Sequence, residues 1–176
     1  MEGLNILEEE YSECQRCPVL VKNRQNVVFG VGNPKAKILI IGEAPGKNED
    51  EKSEPFVGRA GQILNGLLEG IGLSRDDVYI TSSILCRPPE NRNPTAGELK
   101  NCRGRLDRHI ELVDPKVVVT LGNFATKYML DTKTGITKLK GKVYERGGRK
   151  IIPLLHPAVL LYSGNSPEKK QELIDD

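Results

Sequence analysis

The sequence contains no apolar run that approaches the ~20 residues needed for a membrane-spanning helix. Its first residues, MEGLNILEEEYSEC, are acidic and lack the basic and apolar character of a secretory leader. We therefore expect a cytoplasmic protein that makes no contact with membranes. Internal repeats and low-complexity segments are also missing, and a length of 176 residues predicts one domain with a full core.

Excess charge of one sign is missing too: 26 Lys and Arg stand against 24 Asp and Glu, a formal net charge of +2. This balance excludes a protein that coats nucleic acid through bulk charge, so any DNA contact must come from a local basic patch. Histidine occurs only at His109 and His156, and cysteine only four times. Four cysteines in a cytoplasmic chain are more typical of a metal site than of disulfides.

Four short apolar runs, rich in β-branched residues, predict strands of a sheet that is covered on both faces. The runs span residues 37–42, 78–85, 116–122 and 150–156. Apolar spacing and helix caps predict helices between them, at 60–72, 93–113 and 123–130. A hairpin turning at Gly147–Gly148 leads into the fourth run. The predicted fold class is α/β: a three-layer α/β/α sandwich with a central, mainly parallel four-stranded sheet.

The carboxyl ends of these strands are where such sheets bind their ligands. After the first strand, the turn GEAPG (42–46) has three residues between its glycines, and no Ser or Thr follows its lysine. It therefore lacks the spacing and the hydroxyl of a nucleotide phosphate loop. Its carboxylates, Glu43 and the nearby Glu49, suit proton transfer from water or stabilisation of a developing cation.

The cysteines combine a C-x-x-C knuckle with two separate residues. Cys14 and Cys17 form the knuckle ahead of the first strand, Cys86 follows the second strand, and Cys102 lies on the apolar stripe of the long helix. A redox C-x-x-C normally lies between a strand and its helix, which is not the case here. Four thiolates can hold zinc or an iron–sulfur cluster, and the spacing leaves both open.

Three other segments carry candidate functional residues. His156 ends the fourth strand and precedes a proline, whereas His109 lies within the long helix and is interpreted as structural. Phe56, between a proline and two glycines, either fills the core or presents a flat face to a planar ligand. The proline-rich segment CRPPENRNP predicts a rigid surface loop that carries the basic residues Arg87 and Arg92.

Taken together, five segments carry a resemblance to a known family: GEAPGKNED, PFVGRAG, YITSSILCRPPENRNP, PKVVVTLG and HPAVLL. In order and spacing, from about Cys14 to Leu161, they strongly resemble the family 4 uracil-DNA glycosylases, which are iron–sulfur enzymes of bacteria and archaea. The resemblance implies the uracil-DNA glycosylase-like fold and a [4Fe–4S] cluster on the four cysteines that ties down the N-terminal segment. It also implies a monomeric DNA repair hydrolase that removes uracil from single- or double-stranded DNA.

The resemblance further implies roles for individual residues. Phe56 would stack on a uracil flipped out of the DNA, and His156 would donate a hydrogen bond to O2 of the leaving base. Water would be positioned or activated by one of the two carboxylates or by an amide, with no order among them: Glu43, Glu49 and Asn91. The base pocket would be lined by Gly42, Glu43, Ala44, Gly46, Phe56, Ser82 and His156.

DNA outside the pocket would meet two further groups of residues. The HPAVLL segment would enter the minor groove, with Leu160 or Leu161 as an apolar wedge in the vacated stack. Arg87 and Arg92 would contact phosphates. The same loop contains no histidine, so nothing supports the variant of this superfamily that traps the sugar covalently.

Ser82 departs from the family pattern, which usually has Asn four residues before the third cysteine. An Asn amide can accept from uracil N3–H and donate to O4 in one plane, and a serine hydroxyl cannot make both bonds from one place. Slower or less selective excision is therefore expected. Two alternatives stay open: a cluster-bearing DNA-binding module with weakened or lost catalysis, and a zinc-bound nucleotide-binding domain.

Overall fold

The computed structural model describes residues 2–164 and 166–176, which form strands and helices in alternation. The strands are β1 (Val31–Gly32), β2 (Ile38–Gly42), β3 (Val78–Ser82), β4 (Val117–Leu121), β5 (Tyr144–Arg146) and β6 (Arg149–Leu154). The helices are α1 (Glu2–Ser12), α2 (Pro18–Asn23), α3 (Lys47–Lys52), α4 (Arg59–Gly70), α5 (Ala96–Val113), α6 (Asn123–Leu130), α7 (Ile136–Leu139), α8 (Val159–Tyr162) and α9 (Pro167–Asp175). Short 3₁₀ turns lie at Arg75–Asp77 and Pro89–Asn91.

The strands form one sheet in the order β1-β3-β2-β4-β6-β5. Its four inner strands are parallel, with Ile40 of β2 opposite Ile80 of β3 and Val119 of β4. These four are the predicted strands, and the predicted three-layer α/β/α class is confirmed. The sheet nevertheless has six strands rather than four, because short β1 and β5 add antiparallel edges.

The inner strands β2, β3 and β4 bury side chains on both faces, as the continuous apolar runs predict. Strand β6 buries Ile151 and Pro153 on one face, whereas Ile152 and Leu154 on the other are half-buried. In β2, Leu39 and Ile41 pack into the larger core cluster, which includes residues of α1 and α5, while Ile40 packs into a second cluster with Leu64 and Leu68 of α4. All three β2 side chains are 2% exposed or less. The sheet is thus held rigidly between two helical layers, which fixes the relative positions of the strand ends.

The predicted capping box at the start of α5 is present. Glu98 N donates to Thr95 Oγ1 at 3.2 Å, and Thr95 N donates to Glu98 Oε2 at 2.8 Å. Arg92 adds a two-pronged ion pair, with its Nη1 and Nη2 at 2.9 and 2.6 Å from the two Glu98 oxygens. The cap therefore anchors the loop between β3 and α5 to the helix that follows it.

The C-terminal segment forms α9, which packs against α4. Leu173 of α9 is buried with Leu67 of α4 and Leu160 of α8. Lys140 ties the end of the chain down by pairing with Asp176 at 2.6 Å. The role of α9 in the fold is therefore to support α8, which follows His156. Among the described helices, none has the length and apolar character to cross a membrane.

Candidate active site

A cleft of about 590 Å³ opens beyond the carboxyl ends of β2, β3 and β6. It is lined by residues from the strand ends and from the loops that follow them, as the parallel topology predicts. These are Glu43, Ala44, Pro45, Gly46, Glu49, Phe56, Ala60, Ser82, Pro88, Asn91, Arg92, Asn93, Pro94, Leu155, His156, Ala158, Val159 and Tyr162. Most of the predicted pocket residues therefore meet in one hollow.

Phe56 and His156, which are 100 positions apart in sequence, face each other in this cleft. Their ring centroids are 5.8 Å apart and their planes differ by 26°. The Phe56 ring also lies against Gly42, where a Cβ atom would come within 2.6 Å of it. A glycine at the end of β2 is thus what allows the aromatic ring to lie flat over the strand end.

The Phe56 backbone is held in an unusual conformation. Its φ of 56° lies in the left-handed region, which is rare for a bulky residue. Arg75 holds it there, because Nη1 donates to the Phe56 carbonyl at 3.0 Å and Nη2 to the Pro55 carbonyl at 2.7 Å. Strain of this kind is typical of functional sites and persists only where neighbouring contacts enforce it. Sequence reasoning missed this contribution of Arg75.

The His156 ring has a defined tautomer. Its Nδ1 accepts a hydrogen bond from Ala158 N at 3.2 Å, so the proton of the neutral ring lies on Nε2. Burial lowers the pKa of His156 to about 4, against a smaller opposite effect of the Glu49 charge. At neutral pH the ring is therefore uncharged, and its one N–H donor is at Nε2, because Nδ1 accepts from the backbone of Ala158.

Glu43 and Glu49, which the sequence does not rank, have different surroundings. Glu43 Oε1 accepts from Asn123 N at 3.1 Å, at the N-terminus of α6. Burial raises the pKa of Glu43, and the backbone donors of Asn123 and Phe124 oppose that shift. Gly122, at φ 91°, leaves room for the carboxylate, because a Cβ there would lie 2.3 Å from Oε1. Glu43 thus lies in the cleft and has a raised pKa, which makes its carboxylate a better proton acceptor than a fully solvated one.

The Glu49 carboxylate accepts three hydrogen bonds from backbone N–H groups on either side of helix α3. Its Oε1 accepts from Val57 N at 3.0 Å and Gly58 N at 2.7 Å, and its Oε2 accepts from Gly46 N at 3.2 Å. These bonds join the turn after β2 to the segment that carries Phe56. The Glu49 carboxylate therefore binds three backbone N–H groups of this region, which distinguishes it from Glu43, whose carboxylate lies at the N-terminus of α6.

The loop between β3 and α5 contributes Asn91 and Arg92 to the cleft, while Arg87 lies next to it. Asn91 Oδ1 accepts from Arg87 Nε at 2.7 Å, and Arg92 is paired with Glu98. Asn91 is exposed and has φ 54°. All three side chains thus have partners, Arg87 and Asn91 with each other and Arg92 with Glu98 of α5. The Arg87–Asn91 bond uses only Nε of Arg87 and Oδ1 of Asn91, so it leaves the Nη groups of Arg87 and the amide nitrogen of Asn91 to a ligand.

Ser82 lies at the end of β3 and lines the cleft, as predicted. Its neighbour Ser83 cannot substitute for it, because the Ser83 hydroxyl donates to the Gly42 carbonyl at 2.9 Å. The position that would read the base edge is therefore held by the Ser82 hydroxyl alone.

Comparison with known proteins agrees with this geometry. The family model of the uracil DNA glycosylase superfamily matches residues 29–176. A type-4 uracil-DNA glycosylase of Archaeoglobus fulgidus is 45% identical over 184 residues, which cover 100% of this chain and 90% of that protein. Those of Sulfurisphaera tokodaii and Saccharolobus solfataricus are each 44% identical, covering 94% and 97% of this chain and 79% and 82% of theirs. The chain belongs to the type-4 uracil-DNA glycosylase family.

The four cysteines of this chain lie near one another beside the larger core. The charge of Cys14 or Cys102 influences the pKa of both Cys17 and Cys86, so the four thiols share one neighbourhood. Burial raises the pKa of the Cys86 thiol to about 11 and also raises that of Cys17. Buried thiols of this kind become thiolates when iron or zinc supplies compensating charge.

Two nitrogen donors already point at these sulfurs. Arg24 Nη1 donates to Cys86 Sγ at 3.0 Å, and Asn101 Nδ2 donates to Cys17 Sγ at 3.3 Å. Within residues 2–164 and 166–176, no three His, Cys, Asp or Glu side chains converge closely enough for a single metal ion. A donor set of four sulfurs, without carboxylate or imidazole, suits an iron–sulfur cluster and also zinc.

Of the two residues predicted as the wedge, Leu160 and Leu161, the structure speaks against Leu160, and Leu161 stays a prediction. Leu160 is 2% exposed and packs against Leu67 and Leu173, so it supports α8 and is not available for insertion into DNA. Leu161 is half-buried. The exposed side chain of α8 is Tyr162, which is 90% exposed and lines the mouth of the cleft. Sequence reasoning missed Tyr162 because a helix of four residues is too short for its apolar pattern to show which side chain packs against α4 and α9 and which stays exposed.

Proposed function

We propose that this protein is a uracil-DNA glycosylase, which flips uracil out of DNA and hydrolyses its N-glycosidic bond to leave an abasic site. The observation that carries this proposal is the shared cleft in which the Phe56 and His156 rings face each other above the strand ends. A stacked base is out of reach for such a cleft, so the nucleotide must rotate out of the duplex to enter it. The neighbouring polar residues of the cleft, Ser82 and Glu43, supply a hydroxyl group for the edge of the base and a carboxylate for the reaction.

The base is held by stacking and by hydrogen bonds. Phe56 offers a ring face on which the flipped uracil stacks in an offset arrangement. Ser82, at the end of β3, reaches the base edge, and the turn that contains Ala44 and Gly46 closes the pocket. Because Glu49 and Arg75 bind the backbone around Phe56, the ring is positioned before the substrate arrives.

Bond cleavage leaves negative charge on uracil and positive charge on the sugar. The neutral His156 ring donates its Nε2–H to uracil O2 as charge develops there, which stabilises the leaving group without transferring a proton. Glu43 accepts a proton from the attacking water, and its carboxylate also stabilises the cationic sugar. Asn91 remains a candidate to orient the same water.

The cysteines Cys14, Cys17, Cys86 and Cys102 would hold a [4Fe–4S] cluster. Hydrolysis moves no electrons, so a bound cluster would supply cohesion, because its four ligands lie in the N-terminal segment, in the loop after β3 and in helix α5. Arg24 supports this arrangement because it also donates to the Cys14 carbonyl at 2.7 Å. We further propose that the chain acts as one domain and as a monomer in the cytoplasm, with Arg87 and Arg92 presented towards DNA phosphates.

Tyr162 is a further candidate for the wedge, beside the predicted Leu161. We expect Tyr162→Ala to weaken binding to uracil-containing duplex by about tenfold, the loss of one aromatic–base stacking contact. Binding to a single strand should change little, because no vacated stack needs filling there. Tyr162→Phe is the matched control, since it keeps the ring, and fluorescence anisotropy with both substrates measures the difference. Equal losses on the two substrates would contradict a wedge role.

Ser82 should limit excision. We expect Ser82→Asn to raise the rate of uracil excision by roughly tenfold, because the amide adds a bond to the base edge. Ser82→Ala should give no gain and serves as the control for side-chain size. Single-turnover rates on uracil and cytosine substrates measure both effects. An unchanged uracil rate with unchanged rejection of cytosine would refute the assignment of Ser82 as the base-reading residue.

The function itself is tested on oligonucleotides that contain one uracil, in single- and double-stranded form, followed by alkali to cleave abasic sites. Strand breaks at the uracil position, lost in a His156 variant, are expected. Binding without breaks would instead support the DNA-binding module with lapsed catalysis. A brown protein with broad visible absorption that bleaches on reduction is expected, whereas a colourless zinc protein would contradict the cluster.

A further inference from the structure

Arg105 is a buried cation without a carboxylate partner. It lies on α5, one helical turn after Cys102, and is 0% exposed. Among the described residues, the oxygen atoms that accept its hydrogen bonds belong to hydroxyl and carbonyl groups, and its Nε has no partner. A buried charge of this kind is costly for a fold and calls for a compensating role.

The guanidinium of Arg105 clamps the end of β3. Its Nη2 donates to the Ser82 carbonyl at 2.6 Å and to the Ser83 carbonyl at 3.2 Å, and its Nη1 donates to Thr81 Oγ1 at 3.2 Å. Thr81 in turn donates to the Phe29 carbonyl at 2.7 Å. The bonds fix the orientation of the peptide that carries the base-reading Ser82.

The clamped peptide continues to the catalytic turn. Ser83 donates to the Gly42 carbonyl through both its backbone N and its hydroxyl, each at 2.9 Å, and Ile84 N donates to the Glu43 carbonyl at 3.3 Å. A shift of the β3 end would therefore move Ser82 and Glu43 together. These contacts connect Ser82 and Glu43 to the guanidinium of Arg105.

Arg105 also lies beside the cysteine site, because residues three positions apart are neighbours on one face of a helix and Arg105 follows Cys102 by three on α5. Both side chains are buried, Cys102 at 7% exposed and Arg105 at 0%. Burial lowers the pKa of Arg105, and the Cys102 sulfur is the strongest influence in the opposite direction. Cys102 carries negative charge when it is bound as a thiolate. The four-cysteine site therefore offers the buried guanidinium the anionic partner that it otherwise lacks.

We propose that Arg105 is a positioning residue that couples the four-cysteine site to the base pocket. Negative charge at Cys102 keeps the guanidinium in place, and the guanidinium holds the Ser82–Ser83 peptide and through it the Glu43 turn. The proposal rests on the proposed function for its effect on excision, but the coupling itself is a property of the fold. Loss of either the guanidinium or the cluster should loosen the end of β3.

The first test compares Arg105→Met and Arg105→Lys with Arg103→Met, an exposed control on the same helix. Amide hydrogen exchange of Ser83 and Ile84 should accelerate by about tenfold in Arg105→Met, less in Arg105→Lys and not in the control. Exchange of Val119 in the central strand should stay unchanged, which separates local loosening from global unfolding. If Arg105→Met fails to fold, Arg105→Lys alone decides the outcome.

The second test removes the iron from the wild-type protein with a chelator and repeats the exchange measurement. Ser83 and Ile84 should again exchange faster relative to Val119, and the Arg105→Lys protein should respond less, because its clamp is already weakened. If the exchange rates of Ser83 and Ile84 changed neither on substitution of Arg105 nor on removal of the iron, the proposal would be overturned, whether or not the protein excises uracil.

Excision kinetics add a third readout. The single-turnover rate at saturating enzyme should fall by about tenfold in Arg105→Lys with the Kd for DNA unchanged, because positioning within the pocket is affected and phosphate contact is not. A loss confined to Kd would overturn the positioning role. Absence of excision in the wild-type protein would refute the proposed function and leave the exchange result to decide the coupling.

Discussion

Replacing His156 with alanine should slow uracil excision by about 10²–10³-fold, the usual effect of removing one donor to a developing oxyanion. Binding of uracil-containing DNA should be nearly unchanged, because His156 acts on charge that appears only in the transition state. Single-turnover kinetics and anisotropy measure the two quantities separately. His156→Gln, which retains an N–H donor, should recover part of the rate.

The pH dependence provides a further check on His156. Since burial lowers its pKa to about 4, the ring is neutral at every pH from about 6 to 8 and the donor is always present. A mechanism that needed the imidazolium would lose rate steadily as the pH rose through this interval. We therefore expect the excision rates of the wild-type protein and of His156→Gln to vary with pH in the same way between about pH 6 and 8. A decline of the wild-type rate that is absent from His156→Gln, or a large loss of DNA affinity in His156→Ala, would contradict the neutral-donor role.

Replacing Glu43 with glutamine should reduce the excision rate by about 10²–10⁴-fold, the range for general acid–base catalysis. The proton acceptor is the ionised carboxylate, so the wild-type rate should rise as the pH increases through the raised pKa of Glu43 and then level off. Glu43→Gln has no such group and should lose this rise. Single-turnover rates across the pH range measure both effects.

Glu49→Gln is the matched control for Glu43. Its amide oxygen can still accept from Val57 N and Gly58 N, but the NH₂ group cannot accept from Gly46 N, and the bonds that remain lose the carboxylate charge. The free energy of unfolding should therefore fall by about 1–3 kcal/mol. The pH profile of excision should keep its shape, since the proton acceptor is intact. If instead Glu49→Gln abolished the pH-dependent rise and Glu43→Gln retained it, the two assignments would have to be exchanged.

The main features of the fold follow from the sequence because they depend on local patterns. Buried parallel strands need continuous apolar runs, and the four runs became β2, β3, β4 and β6. Convergence of the strand ends is then a matter of topology, which is why Phe56, Ser82 and His156 could be placed in one cleft. Strand β1 escaped prediction since two residues carry no pattern.

Features that depend on tertiary contacts could not be predicted. Glu43 and Glu49 are equivalent in sequence, and only the backbone donors around each side chain distinguish them. Leu160 and Tyr162 differ through the packing of α9, which covers one and leaves the other exposed. Arg105 did leave a signal: it interrupts the apolar stripe of α5 with a charge.

The most direct test of the account is a crystal structure of Glu43→Gln bound to duplex DNA that contains uracil. We predict a uracil rotated out of the helix, stacked on Phe56, with O2 within hydrogen-bonding distance of His156 Nε2 and Tyr162 at the vacated position. A uracil that remains in the duplex, or a base bound anywhere other than the cleft at the ends of β2, β3 and β6, would contradict it.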